Sequence, residues 1–90
     1  MADPEIIRTV QEFIQSRILH DPEFALEEST QLLKLGILTS LSTMRLVSFI
    51  HEKFGVDVPV DEMLAENFAD LTAIGALITR LELQKGDSRV

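Results

Sequence analysis

Apolar residues return at intervals of three and four in three separate stretches of this chain. The first holds Ile6, Val10, Phe13, Ile14 and Ile18, with Arg17 on the same side. The second holds Leu41, Met44, Val47, Ile50 and Phe54, widened by Leu46 and Phe49, and the third holds Leu71, Ile74, Leu77, Ile78 and Leu81. That spacing lays one side of an α-helix against a core, so the chain is expected to be all-α. At 90 residues it is one small domain and not two.

Local signals place the helix ends. Asp3 before Pro4 supplies a side-chain acceptor and then a residue whose φ is preset for the first helical position. His20-Asp21-Pro22 closes that helix, because proline disfavours helix at the residue before it. Residues 20–39 lack a long period, but Phe24, Leu26, Leu32, Leu33, Leu35 and Ile37 give this connection its own apolar anchors. It therefore reads as an ordered loop, with Ser29 or Thr30 capping a single turn, "QLLKL", that closes at Gly36. The second helix starts at Thr39 or Ser40 and runs through Phe54. Gly55 follows in the left-handed position, and Val56 folds back apolarly. "VDVPV" is extended around Pro59, Asp61 caps a short turn "EMLA", and Asp70 caps the last helix. "QKGDSRV" is polar and aperiodic. The expected architecture is a four-helix bundle, three longer helices and one short third helix, with a long ordered first loop. Its domain spans residues 1–83, followed by a flexible tail at 84–90.

Between Gly36 and Val47 the chain reads "GILTSLSTMRLV", with Thr39, Ser40, Ser42 and Thr43 crowded at the start of an apolar run. Ser and Thr are preferred helix caps, so Thr39 or Ser40 capping the helix, with Ser42 and Thr43 filling its exposed first turn, is the structural reading. Catalytic readings fail. A triad of Ser40, His51 and an acid such as Asp57 would need two residues of one helix that lie roughly 16 Å apart to meet. His20 sits beside a helix end, where the last turn favours a cation, and His51 takes a solvated helix position. Asp57, Asp61, Glu62 and Glu66 lack the spacing of a calcium loop, and the four glycines are too scattered for a phosphate loop. No catalytic residue and no metal ligand is expected, and the protein is expected not to be an enzyme.

Composition narrows the partners. Without cysteine there is no disulfide, thiolate metal site or cysteine nucleophile, which fits a cytoplasmic protein. A formal net charge of −7 argues against nucleic acid, whose phosphates need clustered Lys and Arg. No apolar run approaches the roughly 18–20 residues that span a bilayer, and "MADPEII" lacks the n- and h-regions of a secretion signal. A monomer that binds neither membrane nor nucleic acid is expected.

"LGILTSLSTMRLVSFIHEKFGVDVP" resembles the central motif of the acyl and peptidyl carrier proteins. These hold a 4′-phosphopantetheine arm on the serine of an Asp-Ser-Leu sequence at the start of their second helix. Ser40 falls on that serine, Leu41 on the leucine and Leu46-Val47 on the apolar pair that follows, while "DEMLAENFADLTAIGALI" resembles the short third helix and the approach to the fourth. The resemblance covers about Gln31 to Leu81, and the N-terminal helix fits the same bundle. It implies that Ser40 takes the arm from coenzyme A through a phosphopantetheinyl transferase. The arm's thiol then carries an acyl or aminoacyl thioester between an adenylating or acyl-loading enzyme and an acyltransferase, synthase or condensation enzyme. The docking face it implies is Ile37, Leu38 and Thr39 with Leu41, Met44 and Arg45.

The family's usual Asp before the serine is Thr39 here, which keeps a capping oxygen and lacks the carboxylate. Fatty-acid carriers bear several acids on the second helix, whereas residues 40–54 contain only Arg45, Glu52 and Lys53 as charged residues. The chain is therefore most similar to stand-alone aminoacyl and peptidyl carriers of polyketide or nonribosomal peptide metabolism. A fatty-acid synthesis carrier is one alternative, and a helical interaction module without a prosthetic group is another.

Overall fold

The computed structural model describes residues 3–87, with side chains through residue 85. Helix α1, Pro4–Phe13, begins as its sequence dictates: the Asp3 carboxylate accepts the Glu5 N–H at 2.9 Å, and Pro4 occupies the first turn. Ile6, Ile7 and Val10 are buried from it, and Ile14 directly after it. Its last turn widens into a π turn, Ile14–Ile18, in which Leu19 N–H reaches back to the Ile14 carbonyl at 2.8 Å. His20 then turns left-handed at φ 55, ahead of Pro22.

The first loop is ordered, but by fewer of its apolar residues than expected. Leu26, Leu32, Ile37 and Leu38 are buried, whereas Leu35 is 64% exposed and Phe24 lies at the surface. Polar bonds do the rest. Gln11 and Gln15 of α1 donate their side-chain amides to the carbonyls of Leu26 and Phe24 at 2.9 and 2.8 Å. Leu32 N–H donates to the Ala69 carbonyl at 2.8 Å. The "QLLKL" turn closes at Gly36, whose φ is +76, a conformation that favours glycine. Thr30 does not cap that turn: its hydroxyl accepts the Glu27 N–H at 2.9 Å and so closes the preceding one.

Helix α2, Ser40–Phe54, ends at Gly55 with φ 70, and Val56 folds back into the core. Its buried face keeps most of the stripe expected from the sequence, with Val47, Phe49 and Phe54 partly buried against the core, but it shifts at the first turns. Ser42, Leu46 and Ile50, four residues apart, face inward, while Leu41 is 72% and Met44 54% exposed. Helix α3, Leu71–Asp87, is capped by Asp70, whose carboxylate accepts the Ala73 N–H at 2.8 Å. It buries all five residues of its expected stripe. The helix continues through Asp87, past Gln84 where a tail was expected, and residues 88–90 of that stretch lie outside the described residues.

Where a short third helix was expected, the backbone makes two single 3-10 turns, Val60–Glu62 and Ala65–Asn67. Asp61 lies inside the first turn and caps nothing. Asn67 ties the two turns together. Its amide donates to the Glu62 carbonyl at 2.8 Å and to Glu62 Oε1 at 3.1 Å, beside the Leu64 N–H that the same carbonyl accepts at 2.8 Å in place of the i+4 bond of a helix. Among the described residues the protein is thus all-helical, with three α-helices and two linking turns, and α3 packs on both α1 and α2.

Candidate functional site

The crowded hydroxyls separate into distinct roles at the start of α2. Thr39 is the N-cap, with extended backbone, and its Oγ1 accepts the Ser42 N–H at 3.3 Å. Ser42 answers: its Oγ accepts the Thr39 N–H at 2.7 Å and donates to the Ile37 carbonyl at 3.2 Å. This is a capping box in which a serine fills the place usually taken by Glu or Gln. Ser42 is 8% exposed, which corrects the expectation that it fills an exposed first turn.

Ser40 is the first residue of the helix and is exposed. Helix geometry leaves its N–H and that of Leu41 without intrahelical acceptors, and the aligned peptide dipoles make this end attractive to an anion. Ser40, Thr43 and Met44, spaced i, i+3 and i+4, share one side of α2. They form one wall of a groove of about 450 Å³. Leu33 and Leu38 close it from the first loop, and Met63, Leu64, Ala65 and Phe68 from the linking turns. An exposed primary hydroxyl at a helix N-terminus, beside an apolar groove, is a nucleophile that needs an external base, since His51 lies eleven residues further along the same helix.

The expected docking residues divide. Leu41 and Met44 are exposed beside Ser40. Ile37 and Leu38 are 9% and 3% exposed and belong to the core, the Ser42 hydroxyl holding the Ile37 carbonyl, although Leu38 still lines the groove, and Thr39 is exposed. Arg45 is exposed but tied, its guanidinium donating to the Arg17 carbonyl at the end of α1 at 3.0 Å. Among the described residues no group of three or more His, Asp or Glu side chains could hold a metal ion, and two of the acids are paired. Asp57 pairs with His51 at 2.6 Å, and Glu62 with Arg80 at 2.9 Å. Sequence reasoning missed Thr43, Met63, Leu64 and Phe68 as groove residues. The only signal was a run of apolar residues without a period between Val56 and Phe68.

Among the described residues no helix is long and apolar enough to cross a membrane. In sequence, residues 8–80 match the family described as the phosphopantetheine attachment site. No curated protein matches the chain. Among solved structures, a chain of one described as "Crystal structure of FAD-dependent dehydrogenase" is similar to it. That similarity has 37% identity and a TM-score of 0.74, and it covers 78% of this chain and 99% of that one.

Proposed function

The chain belongs to the phosphopantetheine attachment-site family, and on that premise we propose that it is a stand-alone carrier whose arm is attached to Ser40. Carriers of this family bear 4′-phosphopantetheine covalently, and the arm's thiol supplies the thioester that holds the cargo. A carrier domain is not itself catalytic. It works with a phosphopantetheinyl transferase and with the enzymes that load and process its cargo.

One observation carries the assignment to Ser40: of the hydroxyls at this helix start, Thr39 and Ser42 are bonded to one another, while Ser40 is exposed at the first helical position. A phosphodiester there lies against the amides and positive dipole end of α2. The groove beside it, walled by Met44, Met63, Leu64 and Phe68, suits an apolar part of a partner or of the cargo.

The cargo we propose is an aminoacyl or acyl group of polyketide or nonribosomal peptide metabolism, handled in the cytoplasm by a monomer. The near-neutral second helix supports this over a fatty-acid role, since Arg45, Glu52 and Lys53 are its only charged residues. The similarity to a chain from an FAD-dependent dehydrogenase structure supports a flavoenzyme that oxidises the tethered cargo as one partner. Incubation with coenzyme A and a broad-specificity transferase, followed by intact mass and peptide mapping, tests the attachment. A gain of one arm located on Ser40 is expected, and label on Ser42 or Thr43 would refute the assignment.

A further inference from the structure

We propose that Ser42 is a positioning residue for group transfer to Ser40, an inference that rests on Ser40 being the attachment residue. Among the described residues Ser42 is the buried polar side chain, at 8% exposure, two positions from an exposed one. A serine hydroxyl offers one proton and two lone pairs. Here the proton goes to the Ile37 carbonyl at 3.2 Å, one lone pair takes the Thr39 N–H at 2.7 Å, and the Thr39 hydroxyl stands 3.1 Å away to use the other. Ser42 is saturated.

Capping alone does not require this. The Thr39 hydroxyl accepting the Ser42 N–H satisfies the helix end, as any good N-cap would. The Ser42 side chain adds bonds running the other way, into the incoming chain at Ile37 and Thr39. That incoming chain is itself held to the fold, because Leu38 N–H donates to the Leu32 carbonyl at 3.0 Å and Leu32 N–H to the Ala69 carbonyl at 2.8 Å. Ser40 is therefore enclosed between two residues fixed to each other, and the direction in which its Cα–Cβ bond leaves the helix is set from both sides.

That direction matters for the reaction. The Ser40 Oγ–phosphorus bond forms as a diphosphate P–O bond of coenzyme A breaks. Adenosine 3′,5′-bisphosphate leaves, and the hydroxyl proton passes to a base of the transferase. A reacting atom misplaced by about 1 Å can lose a factor of roughly one hundred in rate.

The test is steady-state transfer from coenzyme A, followed by intact mass, with the wild type, Ser42→Ala, Ser42→Thr and the core control Ile50→Val, well below every melting temperature. Ser42→Ala is expected to lower kcat roughly ten- to a hundredfold, with KM for the carrier changed less than about twofold, because the exposed docking residues are untouched. Ser42→Thr restores the rate, and Ile50→Val keeps it despite its lower melting temperature. Amide hydrogen exchange at Thr39 and Ser42 quickens in Ser42→Ala while α3 stays protected. Should Ser42→Ala not fold, Ser42→Cys, which holds the volume but weakens the bonds, carries the same expectation. A folded Ser42→Ala with wild-type kcat overturns the proposal, as does a loss confined to KM or shared by Ile50→Val. A wild type that gains no mass at Ser40 refutes the attachment assignment first and this proposal with it.

Discussion

Substitution should tell the hydroxyls at the start of α2 apart, because each meets different surroundings. Ser40→Ala removes an exposed group with no packing role. It should abolish the mass gain while leaving helical circular dichroism intact and stability within about 0.5 kcal/mol. Ser42→Ala strands the Thr39 N–H and the Ile37 carbonyl, and should cost about 1–3 kcal/mol in urea denaturation. Thr39→Asp keeps an acceptor for the Ser42 N–H and adds a negative charge at a helix N-terminus, worth about 0.3–1 kcal/mol. Its stability should hold or rise, and its modification by the transferase should quicken. A slower rate would mean that Thr39 is matched to its own transferase.

The helices and turns are tied by a few directional bonds whose loss should have local effects. Arg45 joins α2 to the last turn of α1 through the Arg17 carbonyl, one of the orphan acceptors at a helix C-terminus. Arg45→Met should lose less than about 1 kcal/mol, since the bond is solvent-exposed. Arg45→Glu should lose more, because it sets a carboxylate against the negative end of a helix; thermal melts of the pair check the order. Arg80 holds Glu62, which also accepts from Asn67, so α3 fastens the turns that wall the groove. Arg80→Met should raise hydrogen exchange across residues 60–68 and leave α1 and the buried half of α3 unchanged.

At the scale of the whole molecule, two features bear on the proposed docking: the acidic balance, at a net charge of −7, and the exposed Leu41 and Met44 beside Ser40. Exposed ion pairs contribute roughly 0–1 kcal/mol and are screened by salt, whereas burying a Leu or Met contributes about 1.5–3 kcal/mol. Apparent affinity for the loading enzyme should therefore change little between low and moderate salt, and Met44→Ala should weaken it about tenfold or more. A steep salt dependence with a silent Met44→Ala would place docking on the acidic surface instead. The sequence by itself determined the helical class, the Asp3 and Asp70 helix starts, the start of α2 to within Thr39 or Ser40, the left-handed Gly55 and the α3 stripe, because capping bonds and a 3.6-residue period act between near neighbours. Tertiary structure alone decided which face of α2 is buried. Leu41 and Met44 satisfy the helical period as well as Leu46 does, and only packing against α1 and α3, with Phe13 stacked on Phe49 at 4.2 Å, selects between them. It also drew Ile37 and Leu38 inside, left two 3-10 turns tied by Asn67 to Glu62 in place of the expected third helix, and buried Ser42 while leaving Ser40 exposed. Those outcomes depend on contacts between residues distant in the chain, and local spacing does not encode them.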